Sequence, residues 1–527
     1  MEKVYKIKRA YSQNLPHEEI QKLYEEFEDK DIEIESNKST LLHMAANYAD
    51  HKTVEYLLGC GVRANITNEY GYTPLRSLCN LRDVTHEKWE VTDDDVYKTT
   101  CLLLDAKVSV FKKDESGNTC AIVAAERGMY PMLKALVEKG AKIDFPNRSN
   151  MTPLHMACDY VRFALSSLSY AKDDLVGARK RASEPTGSAN LDRIYQEDII
   201  RIEKKLDENI KVVDDYFDIV KLLVENGMDT DAKDNTNSTA LDYAIKYDAK
   251  KIGAYLKKGT DDLSEDELIA GGMNLHEAAH KDDVEAINAL MRLGANVAEI
   301  SDADKFKGMT PLAVACHNLN TGAVETLIAH GADPNLKSGE NAYTPMQYLL
   351  RYSHLSFPAK AYKEKGIQKI MKILMDAGLN INDTINDNYD IALMQAAATI
   401  AYNRINHECV GNIVFDILIR AGADVNITNK EGKNALMILL HEDLDGENYL
   451  IDLLENNARI DTTDINSNTP LMYAVTNRRQ AAAKTFAELL AQFGDIKLDA
   501  VNNDGKTAVD LATDLGYEEV VKLLLTL

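Results

Sequence analysis

Thr152-Pro153-Leu154-His155 recurs in variant form along the whole chain. Variants begin at Thr40 (T-L-L-H), Thr73 (T-P-L-R), Thr119, Thr239, Met273 (M-N-L-H), Thr310 (T-P-L-A), Thr344, Ile391, Asn434, Thr469 (T-P-L-M) and Thr507. The twelve anchors are separated by 33, 46, 33, 87, 34, 37, 34, 47, 43, 35 and 38 residues. A base period near 33 with positive excursions marks one unit repeated with insertions, which is the signature of a solenoid. Arrays of this kind bind through variable positions, so the repeat defines architecture more sharply than function.

The chemistry of one unit is readable from its residues. Thr152 suits an N-cap, where its hydroxyl accepts from an orphan N–H of the first turn. Pro153 follows at the first helical position, where a missing N–H costs nothing. Leu154, Ala157 and Cys158 then form an apolar stripe with small residues where a neighbouring helix must come close. A second helix is expected over segments such as Val54-Glu55-Tyr56-Leu57-Leu58 and Val324-Glu325-Thr326-Leu327-Ile328. It ends at a glycine suited to a left-handed C′ position: Gly140, Gly227, Gly294, Gly331, Gly378 and Gly422. A short extended finger follows, as in Ala332-Asp333-Pro334-Asn335, and a polar turn such as Asn429-Lys430-Glu431-Gly432 leads to the next anchor. No single unit can bury its own apolar face, so the units must stack.

From about Asn37 onward the chain resembles the ankyrin repeat family. The resemblance is carried by the Thr-Pro-Leu-His block, the Leu-Leu of the second helix and the Gly-Ala-Asp-x-Asn fingers at Gly331 to Asn335 and Gly422 to Asn426. It implies an all-α, curved ankyrin-repeat solenoid of about twelve helix-turn-helix units with finger turns and helical insertions. It departs from the pattern at Ile391, where Thr-Pro is missing and Tyr389 replaces the usual Gly, and at Met273, where no polar turn precedes the anchor.

Three stretches of organisation are expected: an N-terminal capping unit (1–35), a first sub-array (36–260) and a second (261–527). In the capping unit, His17 to Phe27 reads as an amphipathic helix. The division rests on the missing finger after Lys257-Lys258-Gly259, replaced by the capping pattern Ser264-Glu265-Asp266-Glu267 and by Gly271-Gly272. The 87-residue step carries a helical insertion at about 161–215, and smaller ones fall near 81–96 (with Trp89 and Asp93-Asp94-Asp95), 352–366 and 399–411. Within the largest, Ser183 to Ser188 reads as a loop. Insertions on one edge of an array often mark its binding face. The 161–215 segment could equally pack on the array and stiffen it.

Net charge is −24 with a pI near 5.0. A nucleic-acid backbone would want a basic face, so the expected partner is a basic or neutral protein, with no nucleic acid and no membrane. Seven cysteines without CxxC spacing, three of them (Cys79, Cys158, Cys316) in the small apolar slot after the anchor, read as free core thiols in a reducing compartment. Met1 to Ala10 has no apolar run of the signal-peptide kind, and no segment approaches a membrane span. A cytoplasmic site follows most simply; export by a signal-less route is compatible with the same residues.

One catalytic pattern occurs. His276-Glu277-Ala278-Ala279-His280 is H-E-x-x-H, the zinc-hydrolase arrangement. Here His276 sits in the anchor histidine slot shared with His43 and His155, and Ala278-Ala279 match Ala45-Ala46. The repeat therefore accounts for the pattern, and no enzyme, metal or cofactor is expected. Phosphate-loop, dinucleotide and nucleophile-elbow motifs are missing from the sequence.

The family resemblance implies recognition by finger tips and the exposed side of first helices. Carried onto this chain, the candidate partner-binding residues are Glu69, Tyr70, Tyr72, Arg76, Arg148, Met151, Asp159, Tyr160, Phe306, Lys307, Met309 and Tyr343. Tyr outnumbers Phe by 25 to 10, and Tyr and Arg are the residues enriched at interface hot spots. The expected function is a non-enzymatic scaffold, adaptor or inhibitor. Narrower alternatives are an antitoxin-like immunity protein and a host-directed microbial effector; the alternative of a different class is a zinc-dependent hydrolase using His276, Glu277 and His280.

Overall fold

The computed structural model describes residues 2–81, 90–183, 189–340, 342–351, 360–386, 388–402, 410–441, 447–494 and 496–527. Trp89, most of the Ser183–Ser188 loop, and much of the expected insertions near 352–366 and 399–411 lie outside them. The described residues form helices joined by short turns, with only isolated bridges (Glu33–Thr40, Ser338–Tyr343, Thr384–Ile391) between extended residues. They fall into two compact units, Met1–Met273 and Asn274–Leu527.

Each anchor starts a first helix, short except after Thr152. Thr73 Oγ1 accepts from Arg76 N–H at 3.2 Å, Thr310 from Ala313 at 3.2 Å, and Thr507 from Asp510 at 3.2 Å. Such caps contribute about 1 kcal/mol each. At the Met273 anchor the cap is Asn274, one residue later than the repeat implies, and Glu277 completes a capping box. An aspartate starts two of the second helices: Asp50 accepts from Thr53 N–H at 3.1 Å and Asp283 from Ala286 at 2.9 Å. The glycines that close the second helices are left-handed, for example Gly331 at φ +87°.

In the first unit, the N-terminus holds a helix that sequence reading missed, Glu2–Ser12, as well as the expected one, His17–Glu25. Val4, Ile7, Ala10 and Tyr11 are buried. Tyr11 donates to Asp50 Oδ2 at 2.8 Å and lies 3.2 Å from the Tyr24 hydroxyl, while its ring stacks on Tyr48 at 3.9 Å. His17 Nδ1 is 3.1 Å from the same Asp50. One buried carboxylate thus ties both N-terminal helices to the first repeat.

The 161–215 insertion is a helical hairpin made by lengthening the two helices of one repeat. Its first helix runs Pro153–Ser183 and its second Ala189–Glu225. The 31 residues of the first span about 46 Å of rise. Val161, Ala164, Ala171, Leu175 and Ala178 recur every three or four residues, or multiples of that, on the buried side against the second helix. Asp93-Asp94-Asp95 forms the first turn of another lengthened second helix, Asp93–Asp105, capped by Thr92. Three carboxylates there favour the positive end of the helix dipole.

The stretch 261–272 forms one more short helix, Glu265–Ala270, packed on Lys250–Lys258. Backbones meet there through glycine. A Cβ on Gly253 would collide with the carbonyl of Gly271, and Gly272 meets the Gly253 carbonyl in return. The second unit repeats the helix pairs from Leu275–Lys281 to Glu518–Leu524. Leu275, Ile287, Leu312, Leu327, Leu349, Leu374, Leu393, Phe415 and Leu436 are buried along it. Gly253→Ala is expected to lower the urea midpoint by an amount worth about 1–3 kcal/mol, because backbone cannot move aside as a side chain can.

Candidate partner-binding surface

The exposed turns are held by a bond that repeats. His43 Nδ1 accepts from the Thr40 N–H and hydroxyl at 3.2 and 2.9 Å, so Nε2 carries the proton and donates to the Tyr72 carbonyl at 2.9 Å. That carbonyl precedes the next anchor. His155 does the same between Thr152 and the Ser238 carbonyl, at 2.8 and 3.1 Å. Gln347 substitutes a carboxamide: its Oε1 accepts from Thr344 N–H at 2.6 Å and its Nε2 donates to the Ile385 carbonyl at 3.1 Å. His276 Nε2 reaches the carbonyls of Met309 and Glu299 at 2.9 and 3.0 Å. Burial pushes the imidazoles of His43 and His276 below their usual value, against the opposing pull of the carbonyl acceptors.

Most of the described turns are closed by an Asn or Asp, while Ser301 Oγ, accepting from Ala303 N–H at 3.2 Å, takes that place before Thr310. Asn68 Oδ1 accepts from the N–H groups of Tyr70 and Tyr72 at 3.1 and 3.0 Å, and Glu69 N–H donates to the Asn37 carbonyl of the preceding turn at 2.8 Å. Asp114, Asn147, Asp234, Asn429, Asp464 and Asn502 close their own turns in the same way. The residue two past the closing side chain then faces outward. Tyr70 occupies that position and is 51% exposed.

The twelve expected residues divide by burial. Glu69, Arg148 and Lys307 are exposed with Tyr70, while Tyr72, Met151, Asp159, Tyr160, Met309 and Tyr343 are half-buried. Two are buried. Arg76 donates to Asp114 Oδ2 of the next turn at 3.2 Å and to Asn80 Oδ1 at 3.3 Å, with Tyr72 4.3 Å over its guanidinium. It clamps neighbouring repeats. Phe306 turns inward at the end of the short helix Asp304–Phe306 and packs on His276 and His280, at 6.3 and 5.4 Å. The Tyr343 ring stands edge-on to Tyr348 at 5.6 Å. Arg76 and Phe306 are thus both buried in contacts within the array.

Asp159 and Tyr160 belong to a cluster whose other members sequence reading missed. Arg162 donates to Asp159 Oδ1 at 2.9 Å and to the Tyr247 hydroxyl at 2.7 Å. Its guanidinium carbon lies 4.7, 5.0 and 5.7 Å from the rings of Phe163, Tyr247 and Tyr160. Lys246 covers Tyr247 at 5.0 Å. Phe163 is 57% exposed. The cluster forms where the lengthened helix leaves the repeat, beside the next first helix, Ala240–Lys246.

The H-E-x-x-H residues are engaged structurally. Glu277 Oε2 accepts from the Asn274 N–H at 2.8 Å as an N-terminal cap, and His276 bonds the finger carbonyls. His280 lies against Phe306, and burial lowers its pKa. Among the described residues no three His, Cys, Asp or Glu side chains are placed to hold a metal. No described helix is long and apolar enough to cross a membrane.

Comparison with known proteins places this geometry. Family models for ankyrin repeats match residues 92–170, 275–357, 393–489 and 447–527 (three-copy model) and 37–69 (single repeat), more than half of the chain. The human transient receptor potential cation channel subfamily A member 1 is 22% identical over 310 residues, 58% of this chain and 25% of the channel. Potassium channel AKT2/3 of Arabidopsis thaliana is 31% identical over 25% of this chain and 16% of its own length. The phosphocholine transferase AnkX of Legionella pneumophila is 25% identical over 41% of this chain and 21% of its own. This chain thus spans a quarter or less of these relatives. Among solved structures, the ankyrin repeat domain of Bcl-3, a member of the IkappaB family, matches with a TM-score of 0.37 at 17% identity, covering 48% of this chain and 98% of that domain.

The buried histidines set a pH dependence. Below the ordinary imidazole value of 6.5 the unfolded chain binds protons at His43 and His276 that the folded protein refuses. Stability is therefore full above pH 6.5 and falls as pH drops towards the lowered folded values. Urea titrations on both sides of that pH should show this fall. His43→Gln, which copies the Gln347 bonds, should reduce it while leaving the midpoint above pH 6.5 nearly unchanged.

Proposed function

We propose a protein-binding function for this chain, which belongs to the ankyrin repeat family: a scaffold, adaptor or inhibitor that grips a partner protein through its finger turns and the exposed ends of its first helices. The observation that carries the reading is the Tyr160–Arg162–Phe163–Tyr247 cluster. A guanidinium held by Asp159 and a tyrosine hydroxyl, with an exposed phenylalanine stacked on it, is hot-spot chemistry pre-organised on helices. Such a surface loses little side-chain entropy on binding.

Tyr70, Tyr72, Glu69, Arg148 and Met151 extend the same recognition along the turns of the first unit. Lys307, Met309 and Tyr343 offer the corresponding edge in the second. The net charge of −24 favours a neutral or basic partner and faster encounter with it. Cys79, Cys120, Cys158 and Cys316 are buried free thiols, which supports a reducing, cytoplasmic setting. Burial also pushes the Cys79 thiol up to about 11, so it is inert as a nucleophile at neutral pH.

Affinity capture with the wild-type chain, identified by mass spectrometry and repeated with Tyr70→Ala/Phe163→Ala, tests the reading. Both side chains are more than half exposed, so the thermal melt should stay near wild type. Partner affinity should fall about tenfold or more. Unchanged capture by the double variant would refute the assigned face.

A further inference from the structure

The N-terminal helix Glu2–Ser12 does more than close the first unit. Between it, the first helices Leu41–Asn47 and Pro74–Leu78, and the turn at 68–72 lies a half-open cavity of about 530 Å³. That is within the range of about 300–1,000 Å³ of small-ligand sites. Its rim carries the rings of Tyr5, Tyr70 and Tyr72, and four asparagine carboxamides line it. Tyr5 is 67% exposed although its neighbours Val4 and Ile7 are buried.

Its charge is the opposite of the chain's. Glu35 is its one carboxylate, and Lys8 neutralises it in a direct ion pair. Arg9 also lines the cavity, and its guanidinium has no ion pair or hydrogen bond among the described residues. The site therefore presents one uncompensated cation on a chain of net charge −24.

We propose that this cavity binds a short peptide segment of a partner protein that carries an acidic side chain. The assignment rests on the protein-binding reading above and adds a partner chemistry to it. Arg9 takes the carboxylate, for which its planar fork of donors is suited. Carboxamides supply both donors and acceptors, matching the alternating N–H and C=O of an extended peptide backbone. The tyrosine rings receive a flanking apolar or aromatic side chain. A polyphosphate backbone fits poorly, because a row of charges needs more than the one uncompensated guanidinium that the cavity offers.

Selection of displayed random short peptides on the full-length chain, followed by fluorescence polarisation with a selected peptide, tests this. The selected peptides should share an Asp or Glu next to an aromatic or apolar residue. Arg9→Ala should weaken binding about tenfold or more and Arg9→Glu further still, with Arg9→Lys in between. The melt should not move, since Arg9 is exposed and unpaired. Selected peptides without an acid, an affinity indifferent to Arg9→Glu, or displacement of the peptide by inorganic phosphate or a single-stranded oligonucleotide would each overturn the assignment. Phe163→Ala serves as the separating control. If it abolishes capture of a whole partner while the selected peptides ignore Arg9, the pocket is wrong and the protein-binding reading stands.

Discussion

One bond underlies the exposed surface: a side chain on a first helix that caps its own N-terminus and also donates to the carbonyl before the next anchor. His43 and His155 do this through two ring nitrogens; Gln347 caps its own helix in the same way through its carboxamide but donates to the Ile385 carbonyl, earlier in the finger that leads to Ile391. A side chain that can only donate or only accept performs one of these functions and loses the other. The finger turns are otherwise short, polar and outside the helical core, so where this link is made it sets where the turn points. Residues at the turn tips are then free to vary, because the backbone beneath them is already satisfied.

The same division explains which aromatic residues are available for recognition. Tyr72 and Phe306 are both turn residues on the edge where partners are expected. Arg76 reaches across to Asp114 and draws Tyr72 half inward, while the short helix at Asp304–Phe306 folds the phenyl ring onto two histidines. Tyr70 touches Tyr72 at 5.7 Å and Phe163 touches Tyr160 at 5.5 Å, yet both keep an open face and remain exposed. Availability is decided by what lies under each ring, and residue type alone does not reveal that.

The architecture was legible because it is periodic. All twelve anchors introduce a first helix, and Asn274 shows the limit of that reading. In M-N-L-H the slot that Thr fills elsewhere holds Met273, which has no capping oxygen, so the cap falls to Asn274. The helix Glu2–Ser12 was hidden because Lys3, Lys6, Lys8 and Arg9 interrupt Val4, Ile7 and Tyr11, so a segment with a buried face read as merely polar. The candidate surface was legible only in part. Asp159 and Tyr160 were identified, but Arg162 and Tyr247 lie 85 residues apart and meet only because the hairpin between them loops out of the repeat. No local spacing encodes that contact. The cavity beside Arg9 was invisible for the same reason, since one of its walls is the unrecognised helix.

The central claim is that partners engage the turn tips and the Arg162 cluster, leaving the second helices free. Hydrogen–deuterium exchange of the full chain, with and without a captured partner, measures this directly. The account predicts new protection over residues 68–72, 159–163 and 243–247, with the second helices His51–Gly59 and Tyr130–Glu138 unchanged. Protection confined to those second helices, with the turns and the cluster exchanging as in the free chain, would contradict it.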